Sequence, residues 1–173
     1  MNAYFHKVQY YETDRMRVTH HSNYIRWMEE ARVDLLEQIG WGYDRMEQNG
    51  ISSPVTAVHC RYLAPTTFGD TVEILAGVSA FHGVSLEMSY RMRKQDGTVV
   101  CEGTSSHCFL NREGGFLRMK KEFPDLYECL SGLADTAEKK VCADGAGAYP
   151  AVTSESQGHR DNRGCLGFLL HLC

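Results

Sequence analysis

The sequence predicts an α+β fold in which a five-stranded antiparallel sheet wraps around one long central helix. Two observations predict it. Apolar residues recur at helical spacing from Tyr24 to Ile39, which indicates one long amphipathic helix. One loosely alternating segment precedes this helix, and four alternating segments follow it, at residues 54–63, 71–81, 84–94 and 99–110. A single helix among successive strands favours an antiparallel sheet packed on that helix.

A strand-like segment opens the chain and leads toward the helix. Tyr4, Val8 and Tyr10 alternate loosely with polar residues, and Asp14 is expected to close this strand. Ser22 or Asn23 can cap the helix that follows, because a side-chain oxygen accepts a hydrogen bond from the free N–H groups of a first turn.

Turn signals separate the remaining elements. Gly40 is expected to end the long helix in the left-handed conformation, and a short second helix is predicted at residues 43–48. Asp96-Gly97 between two alternating segments is a strong hairpin signal. Pro124 limits how early a last helix can begin.

Length and composition predict one domain with an extension. A chain of 173 residues can bury one sizeable core, and residues 1–131 are predicted to form that domain. From 132 to 173 the composition shifts to Ala, Gly, Ser and isolated charges. Such a tail cannot bury enough apolar surface to fold alone, so it is expected to be disordered and dispensable.

Charge and cysteine usage exclude several classes of protein. Asp plus Glu (22) outnumber Lys plus Arg (18), so no nucleic-acid partner is expected. The sequence shows no secretory leader at Met1 and no apolar run of about 18 residues, which predicts a soluble cytoplasmic protein without an integral membrane segment. Seven cysteines without C-x-x-C spacing argue against a zinc site and predict reduced thiols.

Asp14 and His21 form the candidate catalytic site. An acyl-transfer site needs a carboxylate or another base near the electrophilic carbon, and fixed donors where negative charge develops on oxygen. Asp14 supplies the carboxylate, and the N–H groups near His21 carry the positive end of the helix dipole. On spacing alone, the alternative is that Asp14 only caps a turn and that His20 and His21 are exposed loop residues.

A longer motif runs through residues 4–130 in three pieces, YYETD (10–14), HSNY (21–24) and RWMEEAR (26–32). In these residues the chain resembles the 4-hydroxybenzoyl-CoA thioesterase family of hotdog-fold proteins, and within it the YbgC-like acyl-CoA thioesterase branch. The resemblance implies hydrolysis of the thioester of an acyl-CoA to a free acid and CoA.

The resemblance also implies roles for single residues. Asp14 would be the catalytic carboxylate, as nucleophile or as general base, and the backbone N–H of His21 would hold the developing oxyanion. Gly83 and Ser85 match the family's turn that meets the CoA nucleotide, and Tyr24 is a candidate to line the acyl tunnel.

The resemblance further implies an assembly. The family pairs two such sheets into a continuous one, so a homodimer or a homotetramer is expected, and free strand edges favour it. The expected substrate partner is an acyl-CoA, with an acyl-carrier protein as the less favoured carrier. Neither a metal nor a redox cofactor is needed.

The chain departs from the family pattern near the site, which leaves alternatives open. Arg17 and Thr19 stand where Gly and Val are usual, and Met28 replaces an aromatic residue. A glycine there that needs positive φ would make Arg17 strained. A hotdog hydratase or dehydratase and a catalytically impaired acyl-CoA-binding protein are the competing functions. Glu29 and Glu30, on the central helix, are the competing carboxylates.

Overall fold

The computed structural model of the protein describes residues 1–143, so positions 144–173 of the predicted tail lie outside the described residues. The strands are β1 (Tyr4–Lys7), β2 (Val55–Tyr62), β3 (Thr71–Phe81), β4 (Ser85–Lys94) and β5 (Val99–Cys108). The helices are α1 (Ser22–Gln38), α2 (Tyr43–Gln48), α3 (Met119–Glu122) and α4 (Pro124–Ala143), and a 3-10 turn spans Tyr10–Glu12.

The strands form one antiparallel sheet in the order β1-β3-β4-β5-β2, which leaves β1 and β2 as its edges. Helix α1 packs on one face of this sheet and buries Trp27 and Met28. Helix and sheet approach closely at Gly103 in β5, where an added Cβ would lie 2.3 Å from the Met28 Cε and 2.7 Å from the His59 carbonyl oxygen. The predicted α+β architecture is confirmed, and a glycine at 103 permits its tight packing.

The two ends of α1 differ in how well the sequence predicts them. Gly40 has a φ of 76°, so the predicted glycine end is confirmed. At the start, His21 is the N-cap, and the prediction that Ser22 or Asn23 caps the helix is wrong. The buried Asn23 side chain instead donates a hydrogen bond of 2.9 Å to the Glu12 carbonyl.

Strand β1 is shorter than the alternating pattern predicts. It ends at Lys7, and residues 10–12 form the 3-10 turn. The physical reason is Glu12, whose side chain turns inward and accepts the Gln9 N–H at 2.7 Å. Asp14 therefore does not close a strand, as the alternation predicts, but lies in the loop between this turn and α1.

Helix α4 crosses the predicted domain boundary at residue 131. Pro124 is its first residue, as the sequence predicts, and Leu126 and Leu130 are fully buried. Beyond the boundary, Leu133 and Ala134 pack against the same core. A chain cut at 131 would lose part of a helix that packs on the domain.

Two truncations test where the domain ends. A chain ending at Ser131 loses the contacts of Leu133 and Ala134, so we expect its Tm to fall by about 5 °C. A chain ending at Ala143 should keep the Tm of the full chain. Calorimetry of the three proteins measures this difference, and equal Tm values for both truncations would support the boundary at 131.

Candidate active site

The loop that carries Asp14 is a tight antiparallel turn. Thr13 pairs with Thr19, and the Asp14 N–H donates to the Val18 carbonyl at 2.9 Å. The Asp14 Oδ1 accepts the Met16 N–H at 2.7 Å. The carboxylate is partly exposed, and within the described residues its Oδ2 has no hydrogen-bond partner. One oxygen is therefore available to a ligand.

Arg17 completes this turn in the left-handed conformation. Its φ is 64°, and in the described part of the chain it is the only residue other than glycine with a positive φ. Its N–H donates to the Asp14 carbonyl at 2.9 Å. The strain expected at this position is present, at about 1 kcal/mol, and the turn keeps the shape that a glycine would adopt.

Replacing Arg17 by glycine should relieve the strain. We expect Arg17→Gly to raise the free energy of unfolding by up to about 1 kcal/mol, as measured by urea unfolding. Arg15→Gly is the matched control, because Arg15 lies in the same exposed turn without a positive φ. Glycine there should lower the free energy of unfolding by about 0.5–1 kcal/mol. Equal losses in both variants would show that φ at 17 carries no strain.

His21 lies at the N-terminus of the 17-residue helix α1. Its carbonyl accepts the Tyr62 hydroxyl at 3.1 Å, and its exposed ring lies against His20 with centroids 4.2 Å apart. Within residues 1–143 the His21 N–H donates no hydrogen bond. A free N–H at the positive end of a helix dipole can stabilise an oxyanion.

Backbone hydrogen bonds across the loop connect Asp14 to this helix N-terminus. The His20 N–H donates to the Glu12 carbonyl at 2.8 Å, so the two arms of the loop are held together up to that pair. Asp14 lies two residues from the pair on one arm, and His21 follows it directly on the other. The structure therefore places both predicted catalytic residues at the same end of α1.

Tyr24 is buried at the same end of the helix. Its hydroxyl lies 3.0 Å from the Thr66 Oγ1, which in turn donates to the Thr19 Oγ1 at 2.7 Å. Its ring packs against Tyr62 with centroids 5.3 Å apart, and burial raises the pKa of the Tyr24 phenol. These contacts explain Tyr24 as a core residue that ties α1 to the loop, and its role in an acyl tunnel stays a prediction.

Gly83 and Ser85 lie at the opposite end of the sheet from Asp14. Gly83 lies in the connection between β3 and β4, and Ser85 is the first residue of β4. The Asp14 loop adjoins the segment before β3, where the Thr19 N–H donates to the Thr66 carbonyl at 2.8 Å. Strand β3 has 11 residues. Its two ends are therefore up to roughly 33 Å apart along the strand. One chain does not bring these residues to Asp14, so their contact with CoA stays a prediction.

The two competing carboxylates on α1 are already engaged. Glu29 accepts hydrogen bonds from the Arg32 Nη2 at 2.7 Å and the Tyr43 hydroxyl at 2.6 Å. Burial on its own would raise the pKa of Glu29, but these hydrogen bonds hold the pKa below its usual value. Glu30 accepts the Tyr4 hydroxyl at 3.0 Å. Both acids have structural partners, so the geometry favours Asp14 over them as the catalytic carboxylate.

Neither a thiol–imidazole pair nor a metal centre is present in the described part of the chain. The Cys60 Sγ lies 3.3 Å from the Cys101 Sγ rather than against His59, and this contact lowers the pKa of Cys60 to about 7. Over residues 1–143, no group of three or more His, Cys, Asp or Glu side chains could hold a metal ion. None of the described helices has the length and apolar character needed to cross a membrane.

Three residues beside the site were not anticipated from the sequence: Glu12, His6 and Tyr62. Glu12 is 4% exposed and bonds to the Trp27 Nε1 at 2.8 Å, and Tyr62 contacts the His21 carbonyl from β2. These contacts join distant parts of the chain, and no local pattern signals them. The only sequence signal was the position of Glu12 two residues before Asp14.

An antiparallel sheet wrapped around one helix, with a carboxylate loop at the N-terminus of that helix, defines a hotdog protein suited to thioester chemistry. The chain belongs to the thioesterase-like superfamily, whose family model matches residues 8–137.

Known relatives agree with this membership. The chain is similar to the putative acyl-CoA thioesterase YneP of Bacillus subtilis, with 32% identity over 120 residues that cover 69% of this chain and 87% of the relative. It is similar to the acyl-CoA thioester hydrolase YbgC of Escherichia coli O6:H1, with 25% identity over 96 residues, 56% of this chain and 72% of the relative.

A solved structure supports the fold directly. The DHNA-CoA thioesterase from Staphylococcus aureus superposes with a TM-score of 0.72 and 25% identity, covering 85% of this chain and 96% of that one. The predicted hotdog fold, the thioesterase family and the enzyme class are confirmed.

Proposed function

We propose that this protein hydrolyses the thioester of an acyl-CoA, releasing a free acid and CoA. The observation that carries the proposal is the pairing of a carboxylate with a free oxygen, at Asp14, and an unbonded N–H, at His21, at one end of α1. The acyl-CoA relatives support CoA as the carrier, and an acyl-carrier protein is the less favoured alternative.

Asp14 has two chemical routes to the same products. As nucleophile it attacks the thioester carbonyl and expels the thiolate, which leaves a mixed anhydride that water then cleaves. As general base it takes a proton from the attacking water, and the tetrahedral intermediate collapses to the acid with loss of the thiolate. On either route the His21 N–H stabilises the negative charge that develops on the carbonyl oxygen. Single turnover in H₂¹⁸O identifies the nucleophilic route when water attacks the Asp14 carbon of the anhydride. Only then does an unlabelled oxygen from Asp14 enter the product acid while ¹⁸O enters the Asp14 side chain.

A panel of acyl-CoAs with a thiol-detecting reagent tests the proposed activity. The panel contains short, long and aromatic acyl groups, and release of free CoA supports the thioesterase. A change in double-bond absorbance without CoA release would support the hydratase or dehydratase. Binding without turnover would support the acyl-CoA-binding protein. The left-handed backbone at Arg17 argues against that last function, because the turn keeps a glycine-like shape despite the substitution.

The proposal includes a second copy of the chain. Edge strand β2 exposes Val55, Val58 and Tyr62 by 40%, 39% and 45%, which is a large apolar exposure for a free edge. Pairing of two β2 edges would cover it. A second copy could also supply Gly83 and Ser85, which one chain holds far from its own Asp14.

We therefore expect a homodimer or a homotetramer in solution. Size-exclusion chromatography with light scattering gives the molar mass directly. Val58→Lys should shift the protein toward the monomer, because a lysine on a strand edge opposes edge pairing. Gln95→Lys, in the exposed turn between β4 and β5, is the control for added charge. A monodisperse wild-type monomer would contradict the expectation.

A further inference from the structure

A buried carboxylate with no part in the proposed chemistry lies two residues before Asp14. Glu12 is 4% exposed, and its Oε1 accepts the Trp27 Nε1–H at 2.8 Å. Its Oε2 accepts the Gln9 N–H at 2.7 Å and lies 2.9 Å from the His6 Nε2. The Gln9 and Trp27 groups can only donate, and donors favour the ionised form of Glu12. Burial alone would raise the pKa of Glu12, but these hydrogen bonds hold the pKa below its usual value.

His6 connects this carboxylate to helix α1. Its Nδ1 lies 2.9 Å from the Glu30 Oε2, so each ring nitrogen faces a carboxylate oxygen. The ring also stacks on Trp27 with centroids 4.6 Å apart. Glu12 is therefore held by hydrogen-bonding and aromatic partners from β1 and α1.

The backbone of Glu12 joins this network to the Asp14 loop. Its carbonyl accepts the His20 N–H at 2.8 Å and the Asn23 Nδ2 at 2.9 Å. The first bond joins the two arms of the Asp14 loop beside His21. The second fixes Glu12 to the first turn of α1. One residue therefore sets the position of both arms of the loop.

We propose that Glu12 is a positioning residue, which holds the Asp14 carboxylate in place relative to the His21 N–H, and this inference rests on the proposed function. Both carboxylate oxygens of Glu12 are occupied and buried, so substrate does not reach them. Glu12 acts through the loop instead. A shift of about 1 Å in a catalytic group can slow turnover about 100-fold, so a loop held at one point makes that point important for kcat.

Two matched variants test the proposal. Glu12→Gln keeps the size of the side chain but puts an NH₂ group against donors, and it should lower kcat by about 10- to 100-fold with KM changed less than about threefold. Amides of residues 13–20 should exchange hydrogen faster in this variant. Glu122→Gln changes a carboxylate that also accepts a backbone N–H, from Arg118 at 2.9 Å, but from α3 instead of the Asp14 loop, so its kcat and loop exchange should match the wild type.

A third variant covers the case in which Glu12→Gln does not fold. Trp27→Phe keeps an aromatic ring in the core but removes the donor to the Glu12 Oε1, and it should produce the same two changes to a smaller extent. A lower Tm with unchanged kcat and unchanged loop exchange would overturn the proposal, and so would equal effects in Glu122→Gln. Hydrogen exchange does not depend on catalysis, so unchanged exchange refutes the positioning role, whereas an active Asp14→Asn enzyme refutes the catalytic assignment.

Discussion

Asp14→Asn is expected to lower kcat for acyl-CoA hydrolysis by at least about 100-fold. Asparagine keeps the size of the side chain, and its carbonyl oxygen can still accept the Met16 N–H, so the turn should hold. What is lost is the negative charge, and with it both the nucleophile and the base. Steady-state CoA release measures the change, and an unaltered Tm shows that the variant is folded.

Asp96→Asn is the matched control for this variant. The Asp96 Oδ1 accepts the Thr98 N–H at 2.8 Å, the same bond to residue i+2 that Asp14 makes to Met16. Asp96 lies in the β4–β5 hairpin turn, outside the proposed site, so its loss of charge should leave kcat unchanged. Near wild-type turnover in Asp14→Asn would remove Asp14 from the mechanism and make Glu30 the next carboxylate to test.

His107 should make folding stability fall as the pH is lowered from neutral toward 4. Its side chain is 1% exposed, and its Nε2 lies 2.7 Å from the Ser105 Oγ. Within the described residues its Nδ1 has no hydrogen-bond partner. Burial, together with the positive charge of Arg32, lowers the pKa of His107 to about 4. A second proton would therefore place a positive charge in the core beside that of Arg32.

The direction of the effect follows from proton binding. An unfolded histidine has a pKa of about 6.5, so between that pH and about 4 the unfolded chain binds a proton that the folded chain does not. Stability is highest above the unfolded value and is lost as the pH falls through this window. The expected loss from pH 7 to pH 5 is about 2 kcal/mol. The carboxylates with lowered pKa, Glu12 and Glu29, contribute in the same direction only at more acidic pH.

Urea unfolding at pH 7, 6 and 5 and fixed protein concentration measures this loss. His107→Leu replaces the imidazole with an apolar side chain and should flatten the pH dependence, whatever its stability at pH 7. His82→Asn changes an exposed histidine and should leave the dependence as it is in the wild type. A wild-type stability that is flat from pH 7 to pH 5 would show that His107 is protonated at little cost in the fold.

Local patterns predicted most of the fold. The helical spacing after Tyr24, the glycine end at Gly40 and the Asp96-Gly97 hairpin each depend on residues within a few positions of one another. The structure has α1 ending beside Gly40, and Gly97 with a φ of 85° between β4 and β5. Such features follow from the backbone preferences of single residues and from the period of apolar side chains.

The same local reasoning failed where a distant contact decided the backbone. Alternation extended the first strand toward Asp14, but the inward turn of Glu12, whose side chain accepts the distant Trp27 Nε1–H, ends it at Lys7. A cap at Asn23 agreed with residue preferences, but its side chain bonds to the Glu12 carbonyl instead. In both cases a hydrogen bond to Glu12 outweighed a local preference of about 1 kcal/mol or less.

The sequence by itself determined the α+β architecture, the order of its elements and the two candidate catalytic positions, Asp14 and His21. Periodicity, turn chemistry and a motif within residues 10–32 carry that information along the chain. Only the tertiary structure decided which carboxylates are free to react. Packing of β1 against α1 places His6 between Glu12 and Glu30, and all three side chains are held by partners far away in sequence. A buried charge is stable only where the fold supplies its partners, and sequence spacing does not show where those partners meet.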